Sequence, residues 1–288
     1  MEAKMNISAD ACYKIGSSHV DCEDYAIGDF VSDVGAHICV SDGCSSGEDT
    51  VIGSRLTCML ARNLFLEGKH GDLEFFYQLD KLEQKVTSLF SEFQEPHSLA
   101  LKQNSLFATL LDCRFDEEKN QFFVKLVGDG LIAARHRDSG FIEWVKADFE
   151  DGAPVYPVYC CHYDLQKKYM AEFSTKQTIT RGVIGSDETS TGAFGGFFSR
   201  EFEFDADKFD LVCLFSDGAF SFRRPMQTAT SKMFEPVPFE EVLTEVMSFK
   251  GFSQGFVRRR CQKFFKNTCT SLGWDHYDDF SMAAIHVG

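Results

Sequence analysis

Acidic residues recur in this chain where an apolar run breaks off. They are Glu23-Asp24 in "CEDYAI", Asp42-Gly43 in "HICVSDG", Asp129 in "LVGDG", Asp217-Gly218 in "VCLFSDG" and Asp278-Asp279 in "YDDFSMAAI". A short apolar run bounded by turn residues reads as a buried strand, so each acid is expected at a strand end. Alone, any one Asp-Gly is a turn dipeptide. Together, carboxylates converging on one sheet edge would repel and raise one another's pKa values. A divalent cation removes that cost. Oxygen donors without a clustered His or Cys set suit a hard ion, Mg²⁺ or Mn²⁺, rather than Zn²⁺.

The elements that must position these acids come in two groups of strands. The first holds "DYAIGDFV", "AHICVS", "SLFATLLDCRF", "QFFVKLVGDG" and "LIAARH", and the second "SREFEFD", "DLVCLFSDG" and "FSMAAIHV". Two amphipathic stretches separate the early strands. Ile52, Leu56, Leu60 and Leu64 recur at helical spacing in one, and Phe76, Leu79, Leu82, Val86 and Leu89 in the other. "FEEVLTEVMSFK" and "FVRRRCQKFFKNTCTSLG" form a further helix pair. Strands and helix pairs in this order, rather than alternating singly, predict an α+β fold with antiparallel sheets and helices packed outside them. Residues from about 147 to 200 read as irregular, rich in Gly and Thr.

Composition narrows the class. The 288 residues carry a formal net charge of −15, which argues against a general nucleic-acid or anionic-membrane binder. The 30 Phe predict an aromatic core. Eleven Cys, an odd number without a C-x-x-C pair, argue against disulfide frameworks and zinc ribbons and for a reducing compartment. No window approaches the roughly 20 apolar residues of a membrane span, and the N-terminus has no apolar stretch of the signal-peptide kind. A cytoplasmic, monomeric protein is expected.

The motifs, taken in order from residue 19 to residue 281, resemble those of the metal-dependent serine/threonine protein phosphatases of type 2C, and "SSHVDCED" resembles a bacterial branch of that family. The resemblance implies one catalytic domain over 1–288, a four-layer α-β-β-α sandwich with a flap at about 147–200. It implies two Mn²⁺ or Mg²⁺ ions. Asp42 would bridge them, the Gly43 carbonyl and Glu23 would sit on one, and Asp217 and Asp278 would hold the other. Asp24 would orient water from behind the metals, and Asp129 matches the ligand of a weaker third ion in some members. Hydrolysis of phosphoserine and phosphothreonine by water activated between the ions follows, with phosphoproteins and a cognate kinase as partners. His19 stands where eukaryotic members carry a phosphate-binding Arg, which makes it a candidate phosphate contact. Cys44 replaces a His of some members, Ser221 an Asp, and Asp279 the usual Asn.

The rival readings are a pseudophosphatase that binds phosphoproteins or a kinase without turnover, and a small-molecule metallophosphoesterase. The basic residues Arg258, Arg259, Arg260, Lys263 and Lys266 read as the solvated face of a helix opposite Cys261, Phe264, Phe265 and Leu272. "GVIGSDETS" lacks the Gly-Lys-Ser/Thr ending of a phosphate loop, which excludes a nucleotide site of that kind.

Overall fold

The computed structural model describes residues 5–47, 50–91, 103–226 and 233–288. In chain order the elements are β1 (Ile7–Lys14), β2 (Tyr25–Val31), β3 (Gly35–Ser41), α1 (Thr50–Leu66), α2 (Asp72–Ser91), β4 (Leu110–Asp116), β5 (Gln121–Val127), β6 (Gly130–His136) and β7 (Ile142–Phe149). Then come α3 (Pro157–Cys161), α4 (Tyr163–Glu172), β8 (Gln177–Val183), β9 (Thr189–Phe194), β10 (Arg200–Asp205) and β11 (Phe209–Phe215). The chain closes with β12 (Phe222–Pro225), β13 (Phe234–Pro236), α5 (Phe239–Val246), α6 (Phe256–Lys263), β14 (Asp275–His276) and β15 (Phe280–Val287). One sheet has seven strands in the order β1-β15-β11-β6-β7-β8-β9, and a second has five, β10-β5-β4-β3-β2.

Strand periodicity makes the layers. Along β11, Val212 and Leu214 enter a core shared with Ile38, Val40, Leu111 and Val124 of the five-stranded sheet. Their neighbours Leu211, Cys213 and Phe215 face the other way, onto Val242, Val257 and Phe264 of the C-terminal helices. β15 repeats the alternation, with Ala283 and Ile285 inward and Met282 and Ala284 outward. On the far side, Cys39, Leu110 and Val127 pack against Cys58, Leu64, Phe75 and Leu79 of α1 and α2. The result is the expected α-β-β-α order. Fully burying a large apolar side chain contributes about 1.5–3 kcal/mol, so this Phe-rich interior stabilises all three interlayer contacts.

The register gathers one set of strand ends at one end of the sandwich. Lys14 pairs with Phe280, Phe215 with Met282 and with Leu131, and Gly130 with Ala147. In the other sheet Tyr25 pairs with Ser41, and Val40 with Leu111. Every acid singled out in the sequence lies at that end.

Three expectations are corrected. Residues 147–200 are not irregular: they hold α3 and α4, and β8 and β9 extend the edge of the seven-stranded sheet. Their Thr residues are strand formers, and Thr180 meets Thr191 across the β8–β9 ladder. In α1 the buried stripe is Thr50, Gly53, Ser54, Thr57, Cys58, Ala61, Leu64 and Phe65, and of the predicted row only Leu64 is fully inside. Small residues carry no hydrophobic signal yet let a helix lie close on a sheet. Leu272 is 49% exposed rather than buried. A π turn at Phe264–Cys269 breaks the 3.6-residue period that would have brought it inward. Among the described residues, no helix is long and apolar enough to cross a membrane.

Candidate metal centre

Asp42 follows directly on β3, whose seven residues are all buried. Its backbone is fixed from both sides: its N–H donates to Thr109 Oγ1 at 3.0 Å, and its carbonyl accepts from the Thr109 N–H at 2.8 Å. Ser41 Oγ donates to the Thr109 carbonyl at 2.5 Å. The next residue tolerates no side chain. A Cβ on Gly43 would stand 2.9 Å from the Glu23 carbonyl oxygen and 3.0 Å from that of Thr50, closer than such atoms approach. Only glycine therefore brings the β3 end, the loop before β2 and the start of α1 to one point. There Thr50 Oγ1 donates to Glu23 Oε1 at 3.0 Å.

The second side of the site comes from β11 and β15. Gly218 permits their close approach: a Cβ there would lie 1.7 Å from the Asp279 carbonyl oxygen. Ser216 Oγ donates to Asp24 Oδ2 at 2.6 Å and accepts from the Ser281 N–H at 3.0 Å, which ties Asp24 to both strands. Asp24 is fully buried, and its Oδ1 is shielded from solvent with no hydrogen-bond partner.

The electrostatics follow from the crowding. Burial and the charges of Asp217 and Asp24 hold Asp42 well above the usual carboxylate range. Burial raises Asp24 to about 7 despite the hydrogen bond from Ser216. Burial, then Asp278, raises Asp217 to about 6. Burial and Asp217 push Asp129 well up, and burial raises Glu23. Asp24, Asp42, Asp129 and Asp217 therefore crowd one another, with the charge of Asp278 beside Asp217. The sequence reading did not include Asp148, next to the end of β7, whose charge raises both Asp129 and Asp217.

His19 sits inside the same cluster, 15% exposed, with both ring nitrogens against carboxylates. Nε2 lies 3.0 Å from Asp278 Oδ1, and Nδ1 lies 3.3 Å from Asp279 Oδ2 and 3.6 Å from Glu23 Oε2. Asp279 has a larger structural part than a simple stand-in for Asn. Buried at 2% exposure, it accepts from the Gly16 N–H at 2.7 Å and the Glu23 N–H at 2.6 Å, pinning the loop between β1 and β2 to the start of β15. Tyr156, just before α3, stands beside Cys44 and close enough to Asp129 and Asp42 for their charges to raise its phenol further. It was not foreseen, and neither were Thr50 and Ser216, because a hydroxyl at a strand or helix end has no spacing signature.

The cluster fits hard divalent cations. Apart from the His19 ring its donors are all oxygen, one buried carboxylate oxygen lacks a partner, and the backbone at Gly43 is bare on the side of Glu23. The described residues also hold a group whose three ligand atoms all lie within 4.8 Å of one another, and it lies elsewhere: Asp80 and Glu83 on α2 with His162 at the α3–α4 junction.

The family described as protein phosphatase 2C matches residues 15–254. The chain belongs to that family of metal-dependent serine/threonine protein phosphatases. No curated protein matches. Among solved structures, the serine/threonine phosphatase Stp1 from Staphylococcus aureus is 12% identical over 100% of this chain and 98% of its own, with a TM-score of 0.56. A bacterial serine phosphatase is 11% identical over 98% of each chain, with a TM-score of 0.55. The phosphatase domain of SpoIIE with a fragment of its regulatory domain, from Bacillus subtilis, is 11% identical over 98% of this chain and 64% of its own, at 0.52. At such identities these likenesses establish a shared fold.

Proposed function

We propose that this chain removes phosphate from phosphoserine and phosphothreonine in proteins with two divalent cations, Mn²⁺ or Mg²⁺. Glu23, the Gly43 carbonyl, Asp42, Asp217 and Asp278 would hold them. The observation that carries this reading is the carboxylate cluster itself: acids gathered at one end of the sandwich by strand register, with Asp24 Oδ1 buried and unpartnered. When bound, such ions offset the carboxylate repulsion, polarise phosphoryl oxygens and activate water.

The chain's own residues do the rest. Thr50 orients the Glu23 carboxylate, and Ser216 holds Asp24 by Oδ2 and leaves Oδ1 free. Asp42 is aimed by the Thr109 clasp. His19, between Asp278 and Asp279, acts as a positioning residue that steadies the Asp278 carboxylate. Asp129, with Asp148 behind it, would take a third and weaker ion. The segment 147–200 would form the flap, with Tyr156 limiting water beside Cys44. The whole of 1–288 would act as one catalytic domain, as a monomer in the cytoplasm, against the products of a serine/threonine kinase. The eleven free cysteines support a reducing compartment.

The test is phosphate release from a phosphothreonine peptide and from p-nitrophenyl phosphate. Release should need Mn²⁺ or Mg²⁺, stop in excess EDTA and return with added Mn²⁺. Undiminished release in EDTA would reject the cation mechanism.

A further inference from the structure

A groove of about 1010 Å³ runs along the open edge of the sandwich, between β1, the start of β2 and α6 with its following π turn. Its ionisable lining is basic: Lys14, Arg258 and Lys266, with no carboxylate among the lining residues. This is unusual in a chain of net charge −15. Arg258 is partly spoken for, since its Nε lies 3.6 Å from the buried Asp10 and its N–H donates to the same carboxylate at 3.0 Å. Lys14 and Lys266 have no carboxylate partner among the described residues, and Lys14 Nζ rests 5.3 Å from the centre of the Phe265 ring. Tyr13, 42% exposed, and Tyr25, with ring centres 5.2 Å apart, add an aromatic wall.

The groove also points somewhere. Tyr25 directly follows Asp24, and Lys14 lies two residues before Gly16, whose N–H is held by Asp279. The basic lining thus begins at the metal-type carboxylates and leads away from them along α6. The residues that read as a solvated helix face divide in this way: Arg258 and Lys266 line the groove, whereas Arg259, Arg260 and Lys263 border another hollow.

The geometry points to this groove as the seat of an acidic segment flanking the phosphoresidue in the protein substrate, an inference that rests on the phosphatase reading above. Carboxylates of that segment meet Lys14 and Lys266, and its backbone lies on Tyr13, Tyr25 and Phe265. Because both lysines are exposed, their effect is a gain in apparent affinity that salt weakens.

The experiment compares two phosphothreonine peptides that differ only in having Glu or Gln around the phosphoresidue. It uses the wild type and the Lys14→Glu/Lys266→Glu double variant. In parallel, binding of an unphosphorylated, fluorescently labelled Glu-rich peptide is followed by anisotropy. For two exposed ion pairs the wild type should favour the Glu peptide about three- to tenfold in kcat/KM, chiefly through KM. The preference should fade at high salt and fall to parity in the double variant. Each protein's ratio is its own control for folding. Parity in the wild type, or a preference that survives the double substitution, overturns the groove assignment and leaves the phosphatase reading standing. If neither peptide is turned over but the labelled peptide binds the wild type and not the double variant, the groove stands and the phosphatase reading falls. Self-association lost in the double variant, together with parity between the peptides, would assign the groove to a second copy and overturn the proposal.

Discussion

The strand-edge acids and the Asp80–Glu83–His162 group offer comparable donors on different foundations. On α2 and the α3–α4 junction, three ligand atoms come within 4.8 Å of one another. His162 Nε2 stays 3.7 Å from Asp80 and 3.8 Å from Glu83, too far for a hydrogen bond, and Asp80 spends one oxygen on Gln84 of its own helix. At the strand ends, Thr109 clasps the backbone of Asp42, Thr50 holds Glu23, Ser216 holds Asp24, and Asp279 staples the loop before β2. Closeness of ligand atoms is cheap on a helix surface. What distinguishes a working centre is carboxylates kept together against their own repulsion by groups whose positions the fold dictates.

Removing ligands from each place puts that contrast at risk. Asp42→Asn and Asp217→Asn should each lower kcat at least about a hundredfold, beyond the loss expected for a supporting residue. Because each change also relieves repulsion among buried carboxylates, the melting temperature should hold or rise. Asp129→Asn, read in the same assay, should cost clearly less. A loss at Asp129 equal to that at Asp42 would move it into the main pair.

The supporting groups come next. Ser216→Ala leaves Asp24 buried with both oxygens poorly satisfied, and Thr50→Val frees Glu23. Each should cost about ten- to a hundredfold in activity and raise the Mn²⁺ concentration needed for half-maximal rate. A fall in stability with unchanged Mn²⁺ dependence would reduce them to structural pins. The smallest effect belongs to the other group: Asp80→Asn/His162→Ala should leave kcat and Mn²⁺ dependence within about twofold, as expected of a substitution outside the machinery.

Much of the centre was legible because charge and burial conflict visibly in the sequence. "HICVSDG" and "VCLFSDG" drive apolar runs straight into an aspartate, so Asp42 and Asp217 stand out without any structure. Asp148 was hidden by its own strand: in "IEWVKADF" the charges at Glu143, Lys146 and Asp148 break the apolar run. β1 escaped for a related reason, since "ISADACYK" has small residues inside and a buried acid, Asp10, whose carboxylate serves the first turn of α6 rather than a turn of its own. The place of His19 near the acids was legible, but its neighbours were not, because Asp279 approaches it from the other end of the chain. Nor could composition reveal that Lys14 and Lys266 face one groove, since 252 positions separate them and only the β1–α6 packing unites them.

Calorimetric titration of Mn²⁺ into the metal-free protein and its variants tests the central claim most directly. The account predicts binding to the wild type that Asp80→Asn/His162→Ala leaves intact and that Asp42→Asn abolishes or weakens at least about tenfold. Unchanged Mn²⁺ binding in Asp42→Asn, with loss in Asp80→Asn/His162→Ala, would contradict it.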